Sequence, residues 1–69
     1  MKYKYKNIGK NLRQLRNKLD ISQRKAALEM NIEIKAYNKL ESENPPNMHV
    51  YTLIKILEYY GVTLEELLK

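Results

Sequence analysis

Residues 22–41 read SQRKAALEMNIEIKAYNKLE and contain the turn on which the interpretation of the whole chain depends. Ser22 is a favourable N-cap because its hydroxyl can accept a hydrogen bond from a free backbone N–H, and it predicts a helix over 22–30. Asn31 is a typical turn residue. The spacing of apolar residues from 33 to 41 then predicts another short helix. This stretch is expected to form two short helices joined by a tight turn.

The side chains of the second of these helices divide into two sets. Helical periodicity places Tyr37, Leu40 and Glu41 on one side, where the two apolar residues can anchor the helix. The opposite side carries two cations, an amide and one aliphatic side chain, namely Ile34, Lys35, Asn38 and Lys39. A core helix would need only the first set. The second set could enter the groove of a nucleic acid.

Two short helices joined by three or four residues have the geometry of a helix-turn-helix. Ala26 and Ala27 lie where the first helix of the pair must approach the second closely, and a larger side chain at Ala27 would hold them apart. A first helix is predicted over 7–19 by an apolar stripe with helical spacing. The stripe consists of Ile8, Leu12, Leu15 and Leu19.

Two further helices are predicted beyond the adjacent prolines at 45 and 46, which interrupt the helical pattern. Asn47 is predicted to cap a fourth helix that ends at Gly61, a residue that favours a left-handed cap. The residues of this helix expected to face inward are Val50, Leu53, Ile54 and Leu57. Thr63 and Glu66 have capping-box spacing and predict a short fifth helix. The sequence therefore predicts an all-α fold, a compact five-helix bundle that contains a helix-turn-helix.

Composition limits what such a domain can do. The chain has 69 residues, no cysteine and one histidine, His49, so we expect one domain with neither disulfides nor a metal site. It contains no Gly-rich phosphate loop and no carboxylate pair with evident site geometry, so we do not expect an enzyme, a catalytic residue or a cofactor. No apolar run approaches the length of a membrane span. Composition therefore leaves a soluble intracellular helical domain as the expectation.

Positive charge is concentrated in the N-terminal part of the chain. The net charge is +5, and residues 1–25 hold nine Lys and Arg against one acidic residue. A basic part beside a more acidic remainder fits an anionic partner on one face and packing or self-association on another. The alternating Lys and Tyr residues of 1–6 predict a basic N-terminal arm, with strand pairing across a dimer as the alternative, and residues 7–69 form the domain.

The segment from about Ile8 to Leu68 resembles the Cro/repressor-type (XRE-like, lambda-repressor-like) helix-turn-helix family of bacterial and phage transcriptional regulators. This resemblance implies a cytoplasmic protein that is bacterial or phage-encoded and associates with the nucleoid. The resemblance lies in IGKNLRQLRNKLDISQRKAALEM, AYNKLE and TLIKILEYYGVTLEELL. It implies that Ile34, Lys35, Asn38 and Lys39 face base edges and phosphates in the major groove. It also implies that the start of the second helix, at Ser22, Gln23 and Arg24, lies against DNA phosphate, with Gln23 bracing the recognition helix.

The resemblance further implies an ion pair between Arg16 and Glu41 that orients the recognition helix, although a solvated helix-edge charge is the alternative for Arg16. The sequence also departs from the family pattern. Asp20 and Asn31 stand where glycine is usual, Glu33 replaces a Ser or Thr cap, and the loop after the third helix carries Glu43 instead of basic residues.

The expected function is sequence-specific binding of double-stranded DNA by a transcriptional regulator, more specifically a repressor that binds a palindromic operator as a homodimer, with no small-molecule effector evident. Operators of this fold class usually have two half-sites about one DNA turn apart. The candidate dimer surface is Tyr59, Tyr60, Leu64, Leu67 and Leu68. The alternative is a protein-interaction module on the same fold, an antitoxin or antirepressor with weak or no DNA binding.

Overall fold

The computed structural model describes residues 4–69, and these residues form five α-helices and no strand. The helices are α1 (Asn7–Lys18), α2 (Gln23–Met30), α3 (Ile34–Leu40), α4 (Val50–Tyr60) and α5 (Leu64–Leu68). The predicted all-α bundle of five helices is confirmed. No helix in residues 4–69 combines the length and apolar character that crossing a membrane requires.

The helix N-termini follow the local chemistry of their capping residues. The Ser22 hydroxyl accepts a hydrogen bond from the Lys25 N–H at 3.0 Å. Thr63 and Glu66 form the predicted capping box, in which each side chain accepts from the other residue's backbone N–H. The prediction that Asn47 caps α4 is wrong. His49 is the N-cap, because its Nδ1 accepts from the Tyr51 N–H at 3.1 Å while residues 45–49 run without regular structure after the prolines.

A residue with a left-handed backbone closes or follows three of the helices: Asp20 (φ 55°) two residues after α1, Asn31 (φ 57°) directly after α2 and Gly61 (φ 64°) directly after α4. At Asn31 the chain closes with two hydrogen bonds, from the Asn31 N–H to the Leu28 carbonyl (3.1 Å) and from the Ile32 N–H to the Ala27 carbonyl (2.9 Å). This is the bonding of a Schellman motif. Asparagine tolerates this conformation better than most residues, which explains why it can replace glycine here.

The core lies where α1, α2 and α3 meet α4 and α5. Its fully or almost fully buried apolar residues are Ile8, Leu12, Ala26, Ala27, Met30, Tyr37, Leu40, Ile56 and Leu67. Leu15 packs against this core. Leu19 does not continue the predicted stripe inward. It is 53% exposed, because α1 ends at Lys18 and the chain turns away there.

The predicted inward face of α4 is partly wrong. Val50 and Ile54 are 66% and 45% exposed, whereas Ile56 is fully buried, and Leu53 and Leu57 pack against the core. Apolar residues occur on nearly every side of α4, so their spacing alone does not single out one face. Ile54 lies two positions from Ile56, which places it on almost the opposite side of the helix once Ile56 is buried.

Contacts between α1 and its neighbours hold the chain ends together. The Asn11 side-chain amide donates to the Leu67 carbonyl at 2.7 Å, and that of Asn7 donates to the Leu68 and Lys69 carbonyls at 3.1 Å each. These carbonyls are at the C-terminus of α5, where the helix offers no partner of its own. The side-chain amides of α1 thus satisfy carbonyl groups at the C-terminus of α5.

The predicted N-terminal arm, residues 1–6, lies only partly within the described residues. The Lys4 N–H donates to the Leu68 carbonyl at 3.2 Å, and the Tyr5 hydroxyl donates to the Pro46 carbonyl. Residues 4 and 5 thus contact the domain rather than standing apart from it. The alternative of strand pairing across a dimer involves residues 1–3 of the arm, which lie outside the described range.

Candidate nucleic-acid interface

The second and third helices form the tight helix-turn-helix that the sequence predicts. α2 ends at Met30, Asn31 makes the left-handed turn, and the backbone is extended at Glu33 before α3 begins at Ile34. Ala26 and Ala27 are both fully buried, where α2 packs against α3 and α4. The Glu33 side chain makes no capping hydrogen bond, in agreement with its poor suitability as an N-cap.

α3 presents its polar side chains to solvent because its inner face is anchored. Tyr37 is fully buried and Leu40 is 5% exposed, whereas Lys35, Asn38 and Lys39 are exposed. Ile34 differs from the other members of the outer set. Its prediction as an outward-facing residue is partly wrong: it is half-buried and packs against the core, because it lies three residues before the buried Tyr37 and therefore on the same side of α3.

Glu41, the residue after α3, is the centre of a buried polar network. It is 2% exposed and forms a bidentate ion pair with Arg16, in which Nε lies 2.7 Å from Oε2 and Nη2 lies 3.0 Å from Oε1. The Gln23 amide donates to Oε1 at 3.0 Å. The ion pair inferred from the family resemblance is thus present, and it joins α1 and α2 to the C-terminal end of α3.

Hydrogen bonding controls the ionisation of this network. Burial alone would raise the pKa of Glu41, but the hydrogen bonds donated by Arg16, Gln23 and Tyr37, with the charge of Arg16, outweigh it and lower that pKa. The hydrogen bond to Glu41 raises the pKa of Arg16. Both groups are therefore held in their charged forms. A buried pair of this kind specifies orientation more than it adds net stability, because desolvation of both charges opposes the attraction.

Arg13 and Arg16 also donate hydrogen bonds to backbone carbonyls, one just after α3 and one in the turn before α2. Arg13 Nη1 donates to the Glu41 carbonyl at 3.0 Å, and Arg16 Nη1 donates to the Ile21 carbonyl at 2.8 Å. The alternative that Arg16 is a solvated charge at the helix edge is therefore wrong. Two arginines of α1 are therefore hydrogen-bonded to Glu41, the residue that follows α3.

A family model described as a helix-turn-helix domain matches residues 9–69 of the chain. The match includes all five helices apart from the first two residues of α1. The chain belongs to this helix-turn-helix family. The resemblance to XRE-like regulators found in the sequence is confirmed at this level. No curated protein and no solved structure matches the chain significantly.

The predicted DNA-binding residues at the start of α2 lie only partly on the surface of the helix-turn-helix. At the start of α2, Ser22 and Arg24 are exposed, but Gln23 is half-buried and its amide is bonded to Glu41. Gln23 thus braces α3, as the family resemblance implies, and its contact with phosphate stays a prediction. Two exposed carboxylates, Glu33 and Glu43, stand before and after α3.

Two tyrosines at the end of α4 hold both helices of the helix-turn-helix, a feature that sequence reasoning missed. The Tyr60 and Tyr37 hydroxyl oxygens are 2.7 Å apart, and the Tyr59 hydroxyl donates to the Glu29 carboxylate. Burial raises the pKa of Tyr37 and of Tyr60, and the hydrogen bond to Glu29 raises that of Tyr59 to about 12. Apolar spacing placed Tyr37 inward, but no sequence signal paired it with Tyr60.

The predicted dimer surface is only partly available on the outside of the helix-turn-helix domain. Leu67 is fully buried in the core, so its inclusion in that surface needs correction: it packs against the other helices of its own chain. Leu64 is 42% exposed. Tyr59, Tyr60 and Leu68 are half-buried and pack against the core. Larger exposed apolar side chains lie at the start of α4, at Val50 and Tyr51.

Proposed function

We propose that the protein is a transcriptional regulator that binds double-stranded DNA sequence-specifically, with α3 inserted into the major groove. The observation that supports this most is the division of α3. Tyr37, Leu40 and Glu41 are buried, while Lys35, Asn38 and Lys39 are exposed on the other side. The helix is thus rigidly held by one face and offers hydrogen-bonding groups on the opposite face.

The exposed groups have the chemistry that base recognition requires. A lysine can donate to guanine O6 and N7, an asparagine can pair with adenine N6 and N7, and an aliphatic side chain can contact the methyl group of thymine. In this proposal Lys35, Lys39 and Asn38 read base edges, and the exposed part of Ile34 contacts a thymine methyl. Ser22, Gln23 and Arg24 at the start of α2 position the domain on phosphates, which carry no sequence information.

We further propose that the regulator is a cytoplasmic repressor that binds a palindromic operator as a homodimer. With Leu67 in the core, the dimer surface consists of Leu64 and Leu68 with the outer edges of Tyr59 and Tyr60. Sedimentation equilibrium of wild-type protein and Leu64→Glu tests this surface. Dissociation of a wild-type dimer by the substitution supports it, whereas an unchanged dimer places the interface elsewhere.

The DNA-binding proposal is tested by selecting bound sequences from a random pool and measuring the affinity for the selected operator by fluorescence anisotropy. Lys35→Ala/Lys39→Ala is expected to abolish specific binding, since each good base contact contributes about 1 to 3 kcal/mol of discrimination. Lys18→Ala/Lys69→Ala removes the same charge at exposed positions outside α3 and serves as the matched control. Equal affinity of the α3 variant and the wild type would refute the proposal.

A second candidate function is recognition of another protein, as in an antitoxin or antirepressor. It is favoured by Leu28, which is 61% exposed on α2, and by the exposed carboxylates Glu33 and Glu43 beside α3. Titration with random-sequence DNA distinguishes the two functions. Binding that weakens steeply with salt supports a DNA-binding regulator. Absence of binding at low salt supports the protein-interaction module.

A further inference from the structure

We infer that a pocket between α1 and the loop after α3 binds a backbone phosphate of the same DNA that receives α3. This inference rests on the proposed function and adds a line of contact outside the helix-turn-helix. The pocket, which we call the α1 basic pocket, has a volume of about 320 Å³. It is lined by Lys6, Asn7, Lys10, Arg13, Glu43 and Asn44.

The three cations of this pocket form a stripe along α1. Lys6, Lys10 and Arg13 follow one another at steps of four and three residues, which places them on one face of the helix. At about 1.5 Å of rise per residue, the stripe extends over about 10 Å. Lys6 and Lys10 are exposed and Arg13 is half-buried.

None of these cations forms an ion pair with another residue in the described range, 4–69. Within residues 4–69, the Arg16–Glu41 pair is the one salt bridge. Glu43 is the single carboxylate that lines the pocket, against three cations. The α1 basic pocket therefore has a net positive charge and free donors, a combination that suits a phosphodiester oxygen.

The pocket begins where α3 ends. Arg13 Nη1 donates to the carbonyl of Glu41 at 3.0 Å, and the Ser42 N–H and hydroxyl both donate to the Lys39 carbonyl, at 3.1 and 2.6 Å. Gly9 allows α1 to touch this turn, because it has no side chain to separate the two backbones. The stripe is thus rigidly connected to the turn of α3 that carries Asn38 and Lys39.

This connection determines which part of the DNA the stripe contacts when α3 lies in the major groove. The major groove is about 12 Å wide, and a sugar–phosphate strand runs along each of its edges. A seven-residue helix is about as long as the groove is wide, so its C-terminal end reaches one edge. The α1 basic pocket, which adjoins that end, is then brought against phosphates of this strand. The family's usual basic loop is replaced here by Ser42, Glu43 and Asn44, and the α1 stripe supplies cations in the same region.

The test is the salt dependence of binding to a short duplex of fixed sequence, measured by fluorescence anisotropy between about 50 and about 200 mM salt. Each phosphate contact contributes about 0.9 to the slope of log affinity against log salt concentration. Lys6→Gln/Lys10→Gln is expected to reduce that slope by about 1 to 2 and to weaken binding to operator and random duplexes alike. Glu43→Gln is expected to strengthen binding to both.

Lys18→Gln/Lys69→Gln is the matched control, since it removes the same charge and Lys18 lines a different pocket, between α1 and α5. Its slope should stay at the wild-type value, and far-UV circular dichroism should show the same helicity for all variants. An unchanged slope for Lys6→Gln/Lys10→Gln, or an equal decrease in the control, overturns the inference and leaves the role of α3 intact. Wild-type protein that binds no duplex at low salt overturns both.

Discussion

Gly9 in α1 lies directly against the carbonyl oxygen of Ser42, the second residue after α3. A Cβ atom placed on Gly9 would be 2.1 Å from that oxygen and 3.1 Å from the carbonyl carbon of Glu41. Both neighbours are backbone atoms, which cannot move aside as the end of a flexible side chain can. The distance between α1 and the end of α3, and with it the position of the Glu41 network, depends on this glycine.

Gly9→Ala is therefore expected to lower the free energy of unfolding by about 1 to 3 kcal/mol, the usual cost of forcing an extra carbon into a packed site. Urea denaturation followed by far-UV circular dichroism measures it. Gly61→Ala is the control, because no atom lies within 4 Å of its Cβ position and only the left-handed backbone (φ 64°) opposes the change. Its expected cost is about 1 kcal/mol. A Gly9→Ala variant as stable as the wild type would show that α1 and the turn at Ser42 do not touch.

A second prediction concerns the asparagine at the turn of the helix-turn-helix. Asn31→Gly is expected to raise the free energy of unfolding by about 0.5 to 1 kcal/mol, since glycine adopts the left-handed conformation (φ 57°) without the strain of a side chain. Asn17→Gly, the same substitution within α1, should instead cost about 0.3 kcal/mol through lower helix propensity. Thermal unfolding of the two variants beside the wild type separates these effects. Destabilisation of both would mean that Asn31 has a side-chain role that outweighs its backbone strain.

Local chemistry explains which parts of the fold could be predicted from the sequence. The caps at Ser22 and Thr63 and the turn at Asn31 depend on residues within a few positions of one another, and all three are confirmed. The inner face of α3 was also predictable at Tyr37 and Leu40, which lie three residues apart and are both buried, whereas Ile34 was wrongly placed on the outer side. The Arg16–Glu41 pair came from the family resemblance and not from the spacing of the two residues.

Features that depend on long-range packing could not be predicted in the same way. α4 is apolar on most sides, so its buried face is decided by what surrounds it, and Ile56 took the place expected for Val50 and Ile54. His49 replaced Asn47 as the cap because the prolines delay the start of α4. The α1 basic pocket joins residues 6–13 to residues 43 and 44, a juxtaposition that no local pattern contains.

A third prediction follows from the low pKa of Glu41. A carboxyl group whose pKa is lower in the folded than in the unfolded state binds its proton first in the unfolded chain. Its contribution to stability is complete above the unfolded value of 4.5 and is lost as the pH falls through the folded value. The free energy of unfolding should therefore decrease on acidification below about pH 4.5.

Glu41→Gln tests this contribution, because it keeps the shape of the side chain and removes the charge. At neutral pH it should cost about 1 to 3 kcal/mol, since Arg16 loses its buried counter-charge. The difference from wild type should then shrink as the pH falls below 4.5 and through the lower folded pKa of Glu41, where the wild-type carboxylate also becomes neutral. Urea denaturation at a series of pH values gives both curves. Parallel curves over the whole range would show that the Arg16–Glu41 pair does not control acid stability.

The fourth prediction concerns the hydroxyl pair of Tyr37 and Tyr60. Burial raises the pKa of both above the usual 10.0, so the neutral forms are favoured in the folded state. The stability they contribute is complete below pH 10.0 and is lost as the pH rises through the folded values. Alkaline pH should thus lower the free energy of unfolding and release α3 from the end of α4.

Tyr60→Phe keeps the ring but removes one hydroxyl of the pair, and it should cost about 0.5 to 1.5 kcal/mol at neutral pH, the net value of one hydrogen bond. It should also reduce the loss of stability above pH 10.0, because one of the two raised groups is gone. Tyr51→Phe, on a side chain that is 72% exposed, should leave the neutral-pH stability within about 0.5 kcal/mol of wild type. The same alkaline unfolding curve for Tyr60→Phe and the wild type would show that the hydrogen bond between these hydroxyls does not hold α3 against α4. The position of α3 would then depend on Glu41 and its partners alone.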